Sequence, residues 1–131
     1  MPADLTIAQE PFGAGRTNYA NATTPTITAG AGAGTGPTLT LTSNSSSFGG
    51  TINLTTGSST TSSAVVATIA FSPPLNRIAG VTISPGNAAA ANLAVASCPY
   101  VVPTSAGFTI NSSGAAMTAS TAFVYNYTVN T

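Results

Sequence analysis

Short runs of alternating apolar and polar residues are the feature that most restricts the fold of this chain. From Leu39 onward, β-branched and apolar residues recur in short runs that Gly, Pro, Asn and Ser interrupt. Such spacing is typical of an antiparallel sandwich or barrel. We count seven runs, at 38–42, 50–56, 64–71, 78–84, 92–98, 107–112 and 122–129. The sequence therefore predicts an all-β fold, an antiparallel β-sandwich of about six or seven strands.

The alternation also predicts which side chains point into the core, because every second residue of a strand lies on the same face. The predicted core stripes are Ile52 with Leu54; Val65, Ala67, Ile69 and Phe71; Phe108 with Ile110; and Phe123, Tyr125, Tyr127 and Val129. Tyr125 and Tyr127 are assigned to the core on this ground. The alternative for them is a sugar-stacking platform formed together with Tyr100.

One segment carries a competing helical signal. Residues 87–96 read NAAAANLAVA, and alanine is a strong helix former. Pro85 and Gly86 precede the segment and Pro99 follows it closely, so we favour a turn that leads into a strand. A helix is the open alternative.

The first 37 residues differ in character from the rest. The segment up to about Asn21 carries three of the four charged residues, scattered with large apolar side chains among Pro and Gly. These residues are Asp4, Leu5, Ile7, Glu10, Phe12, Arg16 and Tyr19. Next comes a run in which glycines alternate with small residues, typical of a linker or of a strand lying flat against something. We expect an extended arm and Gly-rich linker at 1–37, ahead of a sandwich domain at 38–131.

Charged residues are nearly absent, at 3% of the chain against roughly a quarter in ordinary soluble domains. Nucleic-acid binding depends on Lys and Arg that release counterions from phosphates, so we expect no nucleic-acid partner. No apolar run approaches the roughly 18 to 20 residues of a bilayer span, and no basic cluster suits a membrane surface. The first residues also lack the pattern of a secretory signal, so we expect no membrane partner and synthesis in the cytoplasm.

The same composition argues against catalysis. Acid–base chemistry needs a titrating side chain held rigidly, whereas Asp4 and Glu10 fall in the predicted arm. The many Ser and Thr residues have no His or Lys to activate them. Clustered carboxylates and multiple cysteines, which metal sites use, are missing. We therefore predict a non-enzymatic protein without cofactor or metal, in which the single Cys98 is a small buried hydrophobe.

The sequence also favours self-association. Large apolar side chains are few, and small domains with lean cores often bury further apolar surface between copies. Arg77 stands alone after PPLN. We interpret it as an intersubunit bond to a carbonyl or carboxylate rather than as a ligand contact.

Several segments between Gly50 and Val129 form a recognisable series of strands and turns. They read GTINLTTGSS, AVVATIAFSPPL, VTISPGNAAAANLAV, GFTINSS and TAFVYNYTV. The series resembles a β-sandwich module found in tailed-bacteriophage fibres, spikes and capsid decorations, and its strand order resembles the trimeric H-type lectin sandwich. H-type lectins bind sugars with charged and polar residues near their last strands, whereas YNYTV carries no charge. The resemblance therefore implies the fold rather than that sugar site.

The resemblance implies a virion protein located on the capsid surface. Because 131 residues beginning at Met1 leave no room for a fibre stalk, we expect a capsid decoration or cement protein. Its arm would bind the major capsid protein, and a homotrimer would multiply that weak contact. The candidate capsid contacts are Leu5, Ile7, Phe12, Arg16 and Tyr19.

Two other functions stay open on the sequence. The first is a receptor-binding tail-fibre or spike tip that recognises host glycans through exposed loops and tyrosines. The second is a cell-surface adhesion module, which the missing secretory signal disfavours.

Overall fold

The computed structural model describes residues 24–75 and 80–130. These ranges hold eight strands and one α-helix. The strands are β1 (Thr26–Ala29), β2 (Thr38–Leu41), β3 (Gly49–Thr55), β4 (Val65–Ala70), β5 (Gly80–Pro85), β6 (Tyr100–Thr104), β7 (Gly107–Asn111) and β8 (Ala122–Asn130). The helix α1 (Ala88–Ser97) connects β5 to β6, and a single 3-10 turn (Ala31–Ala33) follows β1.

The strands form two four-stranded sheets in which every pairing is antiparallel. The first sheet has the order β1-β4-β7-β6 and the second has the order β2-β3-β8-β5. Edge strand β1 lies next to β2, and β5 lies next to β6, so the two sheets approach each other along both sides. The predicted all-β antiparallel sandwich is confirmed.

The core lies between the sheets and follows the predicted stripes on β3, β7 and β8. The buried residues on these strands are Ile52, Leu54, Phe108, Ile110, Phe123, Tyr125, Tyr127 and Val129. Phe108 of the first sheet contacts two other rings, with centroid distances of 6.1 Å to Phe71 and 5.2 Å to Tyr127 of the second sheet. Tilted ring pairs at this spacing are the favourable geometry for aromatic side chains. Phe108 therefore joins the two sheets.

Strand β4 departs from simple alternation. Its pairing with β7 shifts between Val65 and Ala67, which marks a β-bulge, where one extra residue is inserted into a strand. Because of this insertion, Val66 and Ala67 are both fully buried while Val65 is only partly buried. The predicted stripe on this strand is wrong at Val65, and it is confirmed at Ala67, Ile69 and Phe71.

Strand β1 lies within the Gly-rich segment. It pairs with β4 from Thr26↔Ala70 to Ala29↔Ala67. The sequence left a linker and a flat-lying strand open for this segment, and Thr26–Ala29 form a strand that lies against β4. The glycines that follow allow close contact, because a Cβ on Gly30 would overlap the Val65 carbonyl. The sandwich thus includes residues ahead of the boundary expected at residue 38.

Strand β6 lies outside the seven predicted runs. It begins directly after Pro99 and contains Pro103, and proline weakens a strand signal because it lacks the N–H that a ladder needs. Proline is tolerated here because β6 is an edge strand with only β7 as its partner.

The helix α1 is the main correction to the predicted secondary structure, because the strand predicted at 92–98 is wrong. Asn87 caps the helix: the Ala90 amide donates to its side-chain oxygen at 3.0 Å, the arrangement that Asn favours at a helix start. The alanine run then continues the helix to Ser97, and Pro99 follows its end. The Asn87 cap and the alanine run together favour the helical alternative.

Asn87 also fastens the helix to β8. Its amide nitrogen donates to the Ala122 carbonyl at 3.0 Å, and the Val124 amide donates to its side-chain oxygen at 3.2 Å. Ala90 and Leu93 are the buried residues of the helix and pack into the core. The helix thereby carries the chain across from the second sheet to the first.

We expect Asn87→Ala to lower the free energy of unfolding by about 2 kcal/mol, because it removes a cap and two bonds to β8. Urea unfolding followed by circular dichroism measures this change. Asn92→Ala is the matched control, since Asn92 is exposed on the same helix and its loss should cost less than about 0.5 kcal/mol. Equal losses in the two variants would contradict the role given to Asn87.

Candidate interaction surface

The described part of the chain carries no formally charged side chain. All four charged residues of the protein, Asp4, Glu10, Arg16 and Arg77, fall in ranges 1–23 and 76–79. The polar surface of the sandwich therefore consists of Thr, Ser, Asn and backbone groups. Such a surface selects partners by shape, hydrogen bonds and apolar contact rather than by charge.

The predicted capsid contacts lie outside the described residues. They are Leu5, Ile7, Phe12, Arg16 and Tyr19, all within residues 1–23. Arg77, interpreted as an intersubunit contact, falls within residues 76–79 and is also outside. These assignments stay predictions from the sequence.

The described residues contain neither a cluster of metal-ligating side chains nor a membrane-spanning helix. Over residues 24–75 and 80–130, no three His, Cys, Asp or Glu side chains come together in a group that could hold a metal ion. In the same ranges, no helix combines the length and the apolar character that a bilayer crossing requires.

The three tyrosines within residues 80–130 divide between core and surface. Tyr125 is 2% exposed and Tyr127 is 1% exposed, which confirms their assignment to the core. Tyr100 is 51% exposed on β6. A sugar-stacking platform built from all three rings is therefore ruled out, and Tyr100 alone presents a ring to solvent.

Large exposed apolar side chains lie at the end of α1 and on β6, close together in the sequence. Among the described residues they are Val95, Tyr100 and Val102, with exposed fractions of 91%, 51% and 43%. Tyr100 and Val102 alternate with half-buried residues and so share the outer face of β6. All three fall within residues 95–102, and we call them the α1–β6 patch.

The neighbours of the α1–β6 patch on the sheet are polar and uncharged. Tyr100 lies opposite Asn111 and Val102 lies opposite Thr109 on β7. The Thr109 hydroxyl donates to the Asn111 side-chain oxygen at 2.7 Å. The outer face of the first sheet thus places an apolar strip beside neutral hydrogen-bonding groups.

Cys98 lies inside the same stretch and is exposed, so the predicted buried position is wrong. It follows the last residue of α1 with φ −55° and ψ 117°, where the chain leaves the helix. Pro99 takes the buried position next to it. The Cys98 thiol donates to the Pro99 carbonyl at 3.3 Å. The exposure of Cys98 follows from a helix that we did not favour from the sequence.

A shallow groove of about 320 Å³ lies between α1 and the segment leading into β8. Its lining consists of Ala89, Asn92, Leu93, Ala96, Thr118, Thr121 and Phe123. None of these side chains titrates near neutral pH. Besides apolar side chains, the lining supplies the Thr118 and Thr121 hydroxyls and the Asn92 amide.

The hydroxyl of Tyr125 has no hydrogen-bond partner, alone among the buried side-chain polar atoms of the described ranges. Burial, and secondly the negative charge that Cys98 can carry, raises the pKa of Tyr125 from 10.0 to about 12. The neighbouring core tyrosine differs, because the Tyr127 hydroxyl donates to the Ser46 carbonyl at 2.7 Å. The two buried tyrosines thus differ in one respect, because the Tyr127 hydroxyl has a hydrogen-bond partner and the Tyr125 hydroxyl has none.

Comparison of this chain with protein-family models, curated proteins and solved structures finds no match. The function is therefore inferred from the residues and from the geometry of the sandwich.

Removing the two core hydroxyls should have opposite effects on stability. We expect Tyr125→Phe to raise the free energy of unfolding by about 1 kcal/mol, because an unpartnered buried hydroxyl is lost. Tyr127→Phe should lower it by about 1 kcal/mol, because the Ser46 carbonyl loses its donor. Chemical denaturation of both variants measures the difference, and a change of the same sign in both would contradict this assignment.

Stability should vary little between about pH 5 and 8, because the chain has no His. The folded state holds the Tyr125 proton more tightly than the unfolded state, since the pKa is raised to about 12. The contribution of Tyr125 is therefore constant below pH 10 and is lost as the pH rises from about 10 towards 12. Melting temperatures across this range test the prediction, with Tyr125→Phe expected to lose less stability at alkaline pH. A sharp change between pH 5 and 8 would contradict it.

Proposed function

We propose that this protein is a non-enzymatic structural protein of a tailed-bacteriophage virion, a capsid decoration or cement protein that stabilises the shell as a homotrimer. The observation that carries the proposal is how the charged residues are distributed along the chain. The sandwich of residues 24–75 and 80–130 has no formal charge, whereas residues 1–23 contain three charged and several large apolar side chains. The sequence resemblance to virion β-sandwich modules supports the same assignment.

The uncharged sandwich suits a passive structural role. Its surface groups neither titrate near neutral pH nor attract counterions, so its contacts change little with pH or salt. Antiparallel ladders connect every strand within each of its sheets. A protein that stays attached to a particle outside a cell benefits from both properties.

Binding to the shell is assigned to the first 23 residues. Leu5, Ile7, Phe12 and Tyr19 can bury apolar surface on the major capsid protein, and Arg16 can pair with a carbonyl or carboxylate there. A single segment of this size binds weakly. Three segments held together in a trimer bind far more tightly, because the second and third contacts form at a high effective concentration.

The alternative function is a receptor-binding fibre or spike tip that recognises host glycans. One observation favours it, the half-exposed Tyr100 ring beside Asn111 on the outer face of the first sheet. An aromatic face next to an amide is suited to a neutral sugar, since the ring contacts apolar carbons and the amide bonds to hydroxyls. Copy number distinguishes the two functions, because decoration proteins are present in far more copies per particle than tips.

The decoration proposal predicts high copy number on the shell and its loss when the apolar residues of the first segment are removed. A combined variant, Leu5→Ser, Ile7→Ser and Phe12→Ser, should no longer bind particles that lack the protein. The matched control changes Thr6, Gln9 and Thr17 to Ser and should bind like the wild type. Quantitative gel densitometry and electron microscopy of particles after addition of purified protein measure occupancy.

A low copy number confined to the tail would instead support the receptor-binding tip. Equal shell binding by the apolar variant and its control would contradict the role of residues 1–23. These point changes leave β1 in place, which a deletion of residues 1–37 would not, since β1 spans Thr26–Ala29.

A further inference from the structure

We propose that the outer face of the first sheet, where β6, β7 and β4 lie side by side, binds a neutral carbohydrate chain. The proposed function assigns shell binding to residues 1–23, so carbohydrate binding is a second function with a separate site. Neither function requires the other. Both a decoration protein and a receptor-binding tip can carry such a site, and copy number still distinguishes between them.

Strand pairing makes this face one continuous surface. Its residues form three rows that run across the sheet, each row joining residues that are paired in register. The rows are Tyr100 with Asn111; Val102, Thr109 and Thr68; and Thr104, Gly107 and Ala70. Phe108 and Ile110 alternate with these residues on β7 and are buried in the core, so the rows lie on the outer side. The face is about 13 Å long and about 10 Å wide, from the spacing of residues and strands in a sheet.

The face contains a hollow of about 120 Å³, to whose lining Thr68, Thr104, Gly107 and Thr109 contribute. Gly107 has a φ of +148°, and a Cβ at this position would overlap the Ile69 carbonyl, so this place in the third row requires glycine. The volume is below the roughly 300 Å³ of a pocket that encloses a whole ligand. The hollow therefore suits one substituent, such as a hydroxymethyl group, of a ligand that otherwise lies on the open face.

Hydrogen-bonding groups on this face are held in place and are available to a ligand. The Thr109 hydroxyl donates to the Asn111 side-chain oxygen at 2.7 Å, which fixes the orientation of the Asn111 amide. Over the described residues, neither the Asn111 amide nitrogen nor the Thr68 hydroxyl has a hydrogen-bond partner. The amide nitrogen can donate two bonds, and the hydroxyl can donate and accept. Sugar hydroxyls both donate and accept, so they match these groups.

Tyr100 and Val102 add apolar contact next to these polar groups. Their exposed fractions are 51% and 43%, and Tyr100 is paired with Asn111. A pyranose ring has an apolar face of C–H groups and a rim of hydroxyl groups. Such a ring can place its C–H face on Tyr100 while its hydroxyls accept hydrogen bonds from the Asn111 amide.

The lack of charge selects a neutral ligand. The described residues carry no formally charged side chain, so a phosphate, carboxylate or ammonium group would lose hydration here without gaining a counter-charge. Nucleic acids and acidic polysaccharides are therefore disfavoured. A neutral carbohydrate loses no charge hydration on this face and still gains hydrogen bonds.

The size of the face and its edge strand disfavour a protein partner. The three rows cover about 130 Å² at the usual sheet spacings, against the roughly 800 Å² that each partner buries in a standard protein interface. Pro103 lacks the N–H of an ordinary strand residue on β6, which opposes the addition of a peptide strand at this edge. A short stretch of carbohydrate fits the face better than a protein or an extended peptide.

The test measures binding of glycans to the full-length protein. Because the chain has no Lys, an amine-reactive dye labels its N-terminal amine. An array of neutral oligosaccharides of glucose, galactose, mannose and their N-acetylated amino sugars, together with sialylated and sulfated ones, then reports which are bound. We expect binding to neutral members of the array. Isothermal titration calorimetry with the strongest neutral ligand gives the dissociation constant.

Tyr100→Thr should raise this dissociation constant at least about tenfold, because the ring is lost while Thr still suits an exposed strand position. Asn111→Asp should have a similar effect, because a carboxylate of the same shape donates no hydrogen bond. Asn53→Asp is the matched control, with the same change at an exposed position of β3 on the second sheet, and it should bind like the wild type. If either test variant lacks a cooperative thermal transition by circular dichroism, the other decides the result.

The absence of binding to every neutral glycan on the array would overturn the proposal. So would a preference for acidic glycans, or equal dissociation constants for the wild type and both test variants. Shell binding is measured separately. The combined Leu5→Ser, Ile7→Ser and Phe12→Ser variant should bind glycans like the wild type, and Tyr100→Thr should bind particles like the wild type.

Discussion

The rest of the structure depends on strand β8 and its buried stripe. It is a central strand of the second sheet, pairing with β3 on one side and β5 on the other. Its side chains Phe123, Tyr125, Tyr127 and Val129 fill the space between the sheets, and Tyr127 contacts Phe108 of the first sheet. The helix is also fastened to this strand through Asn87. Over the described residues, which carry no charged side chain, apolar contact along one strand thus joins the two sheets, and hydrogen bonds to the same strand hold the start of α1.

Hydroxyl groups fix the loops of this uncharged fold. The buried Thr56 hydroxyl donates to the Thr118 carbonyl at 2.6 Å, and the buried Ser112 hydroxyl donates to the Thr61 carbonyl at 2.8 Å. Each bond joins segments far apart in sequence and gives a buried hydroxyl its hydrogen-bond partner. Ser and Thr therefore have a structural role, because short neutral side chains fix loop positions that charged ones would fix in other domains.

The alternation of apolar residues was sufficient to predict the fold class and most of the core, because burial on one face of a strand enforces a period of two. It failed at Val65, where a bulge inserts a residue, and at α1, where the Asn87 cap and the alanine run outweighed the flanking prolines and glycine. The sequence did not predict β6, because Pro103 weakens its strand pattern. It also did not predict the exposure of Cys98, because Cys98 follows the end of a helix that was not favoured. Residues 95–102 therefore combine the helix and strand that the sequence obscured, and the α1–β6 patch could not be predicted from it.

The glycine run packs closely on β4 at the beginning of the described residues. It follows β1, whose ladder to β4 is only four residues long. Directly beyond it, the Gly30 amide donates to the Val66 carbonyl at 2.9 Å, and the lack of a side chain lets the backbones meet. A force that pulls on the chain ahead of Thr26 would thus reach the first sheet through the short β1–β4 ladder and the backbone contact at Gly30. Any larger residue at Gly30 would meet the Val65 carbonyl at the start of β4 and weaken this attachment.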